Sequence, residues 1–170
     1  KIDVLISGPQ LRSRLTAQRI GQFIGQPVKV RFDLPRYGYA SALRPPVAGE
    51  MPKMLANLAE RAQQPIDPEY LQFAADTTTV IDQIMSEHWG KCILVVLGGM
   101  TVAAIVRQFF GSHSLPIVAA HLGITEFVRR NGQWWLTYVN RREHMPVPVG
   151  AWTQTQGGIP AAPDSGVIDN

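Results

Sequence analysis

The sequence lacks the features that mark several large protein classes. Its 170 residues include one cysteine, Cys92, which excludes an internal disulfide framework and any zinc site built on several thiolates. No apolar run approaches the roughly 20 residues that a membrane-spanning helix needs. There is no internal repeat, and we predict neither a bound metal nor a cofactor.

The sequence also has only a small net charge. The sequence has 16 Lys+Arg against 13 Asp+Glu, a formal net charge of +3. The pI near 9.3 therefore reflects a small surplus and not a basic arm, and we predict no nucleic-acid partner. One cysteine and no signal-peptide pattern lead us to expect a reducing intracellular compartment such as the cytoplasm.

The residues that are present suit one globular core. The composition is 45% hydrophobic and 17% charged, typical of an ordinary folded domain of this length. The chain opens on Lys1 without a methionine. We expect it to begin inside a longer protein.

The first thirty residues have the pattern of a strand, a helix and a strand. A β-branched run at 2–6 stops at Ser7-Gly8-Pro9, which predicts a buried strand and a turn. A helix is predicted over 11–24, ending at Gly25. Its apolar residues at near-helical spacing are Leu11, Leu15, Ile20, Phe23 and Ile24. Apolar and basic residues alternate over 28–32, which indicates a half-exposed strand.

The middle of the chain changes character twice. Prolines interrupt residues 35–66, which we interpret as an irregular insertion or a cap over a site. A long helix is predicted over 68–88, although the threonine run 77–79 is unfavourable for it. The continuous apolar run 92–97 predicts a strand in the middle of a parallel sheet, with Cys92 as an inert core residue, and a helix should follow up to Phe110.

The last part predicts an antiparallel pair and a tail. Two strand-like runs, 124–129 and 133–140, are joined through Asn131-Gly132, a strong hairpin signal. Residues 146–170 are rich in proline and glycine and predict a surface tail. The predicted fold is a three-layer α/β/α domain over 1–145, with a mostly parallel sheet and a C-terminal hairpin at its edge.

Two loops are the candidate site. In an open α/β sheet, ligands bind outside the carboxyl ends of the strands, which here are followed by residues 7–12 and 97–101. Both loops lead into helices, whose free amides favour an anion, and Arg12 could add a guanidinium suited to phosphate. Gly98 and Gly99 would complete this phosphate site. The alternative is that Arg12 is a solvated helix residue and Gly98-Gly99 a tight turn.

These residues resemble the histidine phosphatase superfamily, also called the phosphoglycerate mutase-like family. Residues 7–17 are similar to its Ser-Ser-Pro-x-x-Arg-x-x-x-Thr-Ala motif, and residues 95–101 to its Val-Val-x-His-Gly-Gly strand end. Residues 121–127 with Gly132-Gln133-Trp134 resemble its closing hairpin. The three blocks keep the family's order and spacing up to about His144, and the resemblance implies the phosphoglycerate mutase-like fold.

The departures from this family decide the predicted function. The family uses a nucleophilic histidine in an Arg-His-Gly motif that ends its first strand, and that strand would precede Lys1. Its second catalytic histidine should stand where this chain has Leu97. Its acid should fall near residues 34–38, where Asp33 is the closest carboxylate. Of the residues that form the family's phosphate pocket, the resemblance retains Arg12.

Other residues are weaker candidates. His88, His113, His121 and His144 follow no strand end with a neighbouring base, and we predict no rescue role for them; His88 should interact with its helix C-terminus. Trp134 and Trp135 point to opposite faces of a strand. We expect one of them in the core and the other exposed or under the tail, where it would be a candidate interface.

We therefore predict a catalytically inactive domain that acts as a protein-interaction or scaffolding module, with a protein partner or a second copy. Two alternatives remain open. One is a phosphatase whose nucleophilic histidine lies upstream of Lys1. The other binds a phosphorylated ligand through Arg12 without turnover. A chain starting at Lys1 would also lack the family's first strand, which we expect to be supplied from elsewhere.

Overall fold

The computed structural model describes residues 1–35, 66–113, 115 and 117–145. The predicted insertion, apart from its two ends, and the predicted tail lie outside the described residues. In chain order the elements are β1 (Val4–Ser7), α1 (Leu11–Ile24), β2 (Val28–Val30), α2 (Pro68–Glu87), β3 (Ile93–Val96), α3 (Gly99–Phe110), β4 (Ile124–Arg130) and β5 (Gln133–Arg141). No helix in these ranges is long and apolar enough to cross a bilayer.

The first three strands form a parallel sheet in the order β2-β1-β3. Leu5 of β1 lies between Val28 of β2 and Leu94 of β3. The mixed α/β fold with a parallel sheet is thus confirmed. The predicted central place of the strand at 92–97 is wrong for the described part of the chain, because β1 occupies the middle and β3 pairs only with β1. Because helices can cover both faces of an edge strand, an all-apolar run does not require a neighbouring strand on each side.

The predicted hairpin is confirmed, with a difference in its placement. β4 and β5 pair antiparallel through Asn131 and Gly132, whose φ values are 50° and 80°. Positive φ at both central turn residues matches the twist of the two strands and favours Asn-Gly. Within the described residues the hairpin is a two-stranded sheet of its own and is not paired to the edge of the parallel sheet.

Helix α1 packs on the sheet through small side chains. Ser13, Ala17 and Gly21 are buried at intervals of four residues, whereas Leu11, Leu15 and Phe23 are exposed. The expected apolar stripe is therefore not the packing face. Small residues let the helix approach closely: a Cβ on Gly21 would lie 2.6 Å from the backbone oxygen of Gln26. The helix ends as predicted at Gly25, with φ 69°.

Helix α2 supplies much of the core. Asp67 caps its N-terminus by accepting a hydrogen bond from the Glu69 amide at 2.9 Å, which satisfies an otherwise free donor. One cluster joins its Val80 and Ile84 to Ile6 and Leu34. A second cluster contains Tyr70, Phe73, Ala74 and Ala104. The helix predicted over residues 68–88 is confirmed.

The threonine run does not interrupt α2. Thr77 is fully buried. The hydroxyl of Thr78 donates to the Ala74 carbonyl at 2.9 Å, and that of Thr79 donates to the Ala75 carbonyl at 3.1 Å. Such bonds to the preceding turn satisfy the hydroxyl groups within the helix itself.

The prediction that Cys92 is a core residue is wrong. β3 begins one residue later, at Ile93, and Cys92 is exposed. Its backbone is fixed by Asp3, whose amide donates to the Cys92 carbonyl and whose carboxylate accepts from the Cys92 amide, both at 2.9 Å. The apolar run of residues 92–97 is thus two residues longer than β3, which is partly buried.

A buried arginine joins α3 to α2. Arg107 is fully buried, and its Nε donates to the Leu115 carbonyl at 2.6 Å. Its guanidinium carbon lies 5.8 Å from the centre of the Tyr70 ring, a cation–π distance. The His113 ring meets the same Tyr70 ring edge-on at 5.7 Å. Because Arg107 and His113 share one aromatic neighbour, a proton on His113 would place two cations side by side.

We expect the domain to lose stability below about pH 6.5. Burial, together with the charge of Arg107, lowers the pKa of His113 from the ordinary value of 6.5. The unfolded chain then binds a proton that the folded chain resists, so the free energy of unfolding falls as the pH drops below 6.5. The midpoint of thermal unfolding, measured between pH 8 and 5.5, tests this expectation. His113→Gln should reduce the dependence of that midpoint on pH. An equal slope in the variant would assign the effect to other groups.

Candidate functional site

The two predicted loops meet at the carboxyl ends of β1 and β3. The Gly8 amide donates to the Val96 carbonyl at 3.0 Å, which continues the pairing of the two strands beyond their ends. The Gln10 side chain lies over Gly98, since a Cβ there would come within 2.9 Å of Gln10 Oε1. The structure thus brings together residues 7–12 and 97–101, as the topology of a parallel sheet requires.

Two helices begin at this point. Gln10 is the N-cap of α1 and makes no side-chain capping hydrogen bond. Gly98 is the N-cap of α3 and has no side chain that could make one. Neither helix has an acidic residue in its first turn. First-turn amides without side-chain caps carry a partial positive charge that can attract an anion.

Arg12 lies at the outer side of this pair of loops. It is exposed on α1, and its Nε donates to Gln10 Oε1 at 3.2 Å. Gln10 therefore links Arg12 to Gly98. This is the geometry of a solvated helix arginine, with a guanidinium that can still reach an anion from solvent.

Leu97 follows β3 and closes the space between the loops with hydrocarbon. Its Cδ2 lies 3.4 Å from where a Cβ of Gly8 would stand. The side chain packs against the core cluster that includes Ile6 and Leu34, and Leu34 is 2% exposed. A side chain held in this way supplies neither a proton nor a charge at the strand end.

Asp33, the closest carboxylate to the place expected for an acid, is held in an ion pair. Arg31 donates to it through Nε at 2.9 Å and through Nη2 at 2.7 Å, and the same guanidinium bonds Glu87 of α2 at 2.8 Å. The hydrogen bonds from Arg31 are the main cause that lowers the pKa of Asp33. Asp33 is therefore ionised near neutral pH and cannot deliver a proton to a leaving group.

The sequence analysis missed Asn140. Its Oδ1 accepts from the Ala120 amide at 2.8 Å, and its Nδ2 donates to the Val118 carbonyl at 3.0 Å. These bonds fix residues 118–120. Within this segment, the Ala119 carbonyl oxygen lies 3.1 Å from the position that a Cβ atom on Gly99 would occupy. Asn140 has φ 57°, a conformation that asparagine tolerates better than most residues. An asparagine near the end of a strand-like run was the available signal.

The histidines occupy separate parts of the structure. His88 is the C-cap of α2, at the helix terminus expected for it. His113 lies against Tyr70, while His121 and His144 are exposed. No contact places His88 or His113 at the two loops.

Trp134 and Trp135 lie on opposite faces of β5, as predicted. They are 40% and 54% exposed, so the expectation that one of them is a core residue is wrong. A two-stranded sheet does not provide a wide enough layer to bury an indole on either face. Both tryptophans are consequently available at the surface of the described chain.

A surface depression among the described residues lies away from the two loops. An open depression at the far end of α1 is lined by glutamine, glycine, proline and valine side chains between Gln18 and Val28, without a charged group. Among the described residues, no group of three or more His, Cys, Asp or Glu could hold a metal ion. Among the described residues of the two loops, Arg12 and the helix amides are the groups suited to an anion.

Comparisons with known proteins agree with this fold. A family model described as histidine phosphatase superfamily (branch 1) matches residues 1–142. No curated protein matches the chain. The solved structures that resemble it are therefore the remaining guide to its fold.

Two of these structures are of phosphoserine phosphatase from Entamoeba histolytica. A mutant in complex with phosphoserine is 17% identical, with a TM-score of 0.63 over 85% of this chain and 76% of that one. The complex with 3-phosphoglyceric acid is 16% identical, with a TM-score of 0.63 over 84% and 76%. A mycobacterial glucosyl-3-phosphoglycerate phosphatase with VO3 is 18% identical, with a TM-score of 0.58 over 84% and 78%. At these identities the likeness concerns the fold.

Proposed function

The chain belongs to the histidine phosphatase superfamily, and we propose that it uses this fold without phosphoryl transfer, as a domain that binds another protein. The observation that carries the proposal is Leu97. By resemblance, this position holds the family's second catalytic histidine. Here a leucine stands there and packs against the core cluster.

The chemistry of phosphate esters explains why Leu97 matters. Phosphoryl transfer needs a nucleophile, stabilisation of the charge on the phosphoryl oxygens and commonly a proton for the leaving group. Losing one charge-stabilising donor typically lowers the rate by about 10² to 10³. Leu97 removes such a donor, and the ion pair with Arg31 occupies Asp33. Both changes act against turnover.

The hairpin supports the second half of the proposal. Trp134 and Trp135 are exposed, and tryptophan is among the residues that contribute most to protein interfaces. A reducing intracellular compartment is proposed with it, because an exposed Cys92 with no second cysteine in the chain suits such a compartment.

A second candidate function keeps the two loops as a binding site for a phosphorylated ligand. Its support is that both helices start without side-chain caps and that Arg12 lies in the first turn of α1. Isothermal titration with phosphoserine tests it: heat at millimolar ligand that disappears in Arg12→Ala favours it. No heat at that concentration eliminates it.

The proposal predicts that the purified chain hydrolyses phosphoserine and 3-phosphoglycerate no faster than buffer. Arg12→Ala should leave that background unchanged, because there is no catalysis for Arg12 to support. Release of inorganic phosphate measures both proteins side by side, with Arg19→Ala, on the same helix, as the matched control. A rate that rises with protein concentration and falls in Arg12→Ala alone would establish the rival, a phosphatase like the named structural relatives.

A further inference from the structure

Helix α1 exposes the large apolar side chains that its sequence provides. Leu11 is 63%, Leu15 53% and Phe23 93% exposed. The buried side of the helix is formed by small residues, so these three side chains do not contribute to the core. Leu11 and Leu15 are four residues apart and therefore neighbours on the helix surface. Large apolar groups that share one exposed surface mark a site of interaction.

The exposed residues of α1 lie on one side of the helix. Each residue adds about 100° around the axis, which places Leu15 and Arg19 almost directly opposite the buried side. Leu11 lies next to this line on one flank, and Arg12 and Phe23 lie next to it on the other. We call these five residues the outer face of α1.

The outer face is basic as well as apolar. Helix α1 contains three arginines and no aspartate or glutamate. Arg12 and Arg19 are exposed, and among the described residues neither of them takes part in an ion pair. Two positive charges beside exposed leucine and phenylalanine side chains complement a partner surface that is apolar and carries carboxylates.

The position of Arg19 distinguishes between kinds of partner. Around the helix, Arg19 lies between Leu15 and Phe23. A bilayer that takes up both apolar side chains therefore also covers the guanidinium between them, which is unfavourable. A nucleic-acid backbone offers phosphates to the arginines but no apolar surface to Leu11 and Leu15. An amphipathic helix with acidic flanks suits both, because side chains four residues apart form ridges that pack into the grooves of a second helix.

We propose that the outer face of α1 binds an acidic, amphipathic helix of a partner protein. The inference rests on the proposed function as a protein-binding domain, and it names the surface and the chemistry of the partner. Apolar side chains of the partner would contact Leu11 and Leu15, and a carboxylate would pair with Arg19. A helix of 14 residues is about 21 Å long, so the contact is smaller than the roughly 800 Å² per partner of a standard interface. The dissociation constant should therefore be on the order of 10–100 µM.

Fluorescence anisotropy with the full chain and a labelled synthetic helix tests the proposal. The probe is a helical peptide of about 20 residues, with leucine at every third or fourth position and glutamate at most of the others. Its control carries lysine in place of glutamate. The expected result is saturable binding of the acidic peptide, with the lysine peptide bound about tenfold more weakly or less. No binding of the acidic peptide at about 1 mM overturns the proposal, as does equal binding of the two peptides.

Substitutions on the outer face separate a docked helix from general attraction between charges. Leu15→Gln and Arg19→Glu should each weaken binding of the acidic peptide about fivefold or more. Leu71→Gln on α2 and Arg130→Glu on β4 are the matched controls, since each changes an exposed residue of the same type elsewhere. Control variants that weaken binding as much as the outer-face variants overturn the proposal.

Two further measurements keep the alternatives apart. Co-sedimentation of the chain with phosphatidylserine-containing vesicles, abolished by Leu15→Gln, would assign the outer face to a lipid surface and overturn the protein partner. Phosphate release from phosphoserine, measured on the same samples, reports separately on the proposed function. A chain with neither peptide binding nor turnover contradicts the helix site alone, and peptide binding with turnover contradicts the proposed lack of catalysis alone.

Discussion

Leu97→His is expected to lower the free energy of unfolding by about 1–3 kcal/mol without creating phosphatase activity. The substitution puts the family's residue type back at the strand end. However, Leu97 is partly buried against the cluster of Ile6, Leu34, Val80 and Ile84, and a polar ring there loses apolar contact. Urea unfolding measures the loss, and release of phosphate from phosphoserine measures activity.

Leu97→Met is the matched control, because it keeps the hydrocarbon volume and should cost less than about 1.5 kcal/mol. If Leu97→His were as stable as the parent chain and hydrolysed the ester, position 97 would be a catalytic position that happens to hold leucine. The assignment of Leu97 to the core would then be wrong.

Gly21→Ala is expected to destabilise the domain by about 2 kcal/mol, although alanine is the better helix former by about 1 kcal/mol. The new Cβ would lie 2.6 Å from the backbone oxygen of Gln26 and 3.2 Å from Leu5 Cδ2. The backbone can relieve this contact only if α1 shifts away from the sheet. The steric term should therefore exceed the gain in helix propensity.

Chemical unfolding of Gly21→Ala beside Gln22→Ala measures this. Gln22 is the next residue and is exposed, so its substitution should change stability by no more than about 0.5 kcal/mol. Equal or higher stability of Gly21→Ala would show that α1 does not depend on close approach to the sheet.

Much of the fold could be predicted from local patterns. The apolar run before Ser7-Gly8-Pro9, the stop at Gly25 and the Asn131-Gly132 turn each correspond to an observed feature, because each depends on backbone conformation set by a few neighbouring residues. The packing face of α1 could not be predicted in the same way. Large apolar residues normally mark the buried face, but close approach to the sheet selects Ser13, Ala17 and Gly21.

The position of the candidate site could be predicted from the sequence, but the contacts within it could not. Adjacent parallel strands bring their following loops together, so residues 7–12 and 97–101 had to meet. The contacts of Gln10 with Gly98 and of Asn140 with residues 118–120 join parts of the chain that are distant in sequence. The first contact depends on how closely the two loops approach, and the second on how the hairpin packs, and local patterns encode neither.

We propose that these strand ends do not carry out phosphoryl transfer. A rapid-quench experiment with the chain in excess over radiolabelled phosphoserine tests it most directly, because it detects even one chemical event per molecule. The account predicts no label on the protein and no release of phosphate above the rate in buffer. Stoichiometric label on the protein, or one equivalent of phosphate released, with both lost in Arg12→Ala, would contradict it.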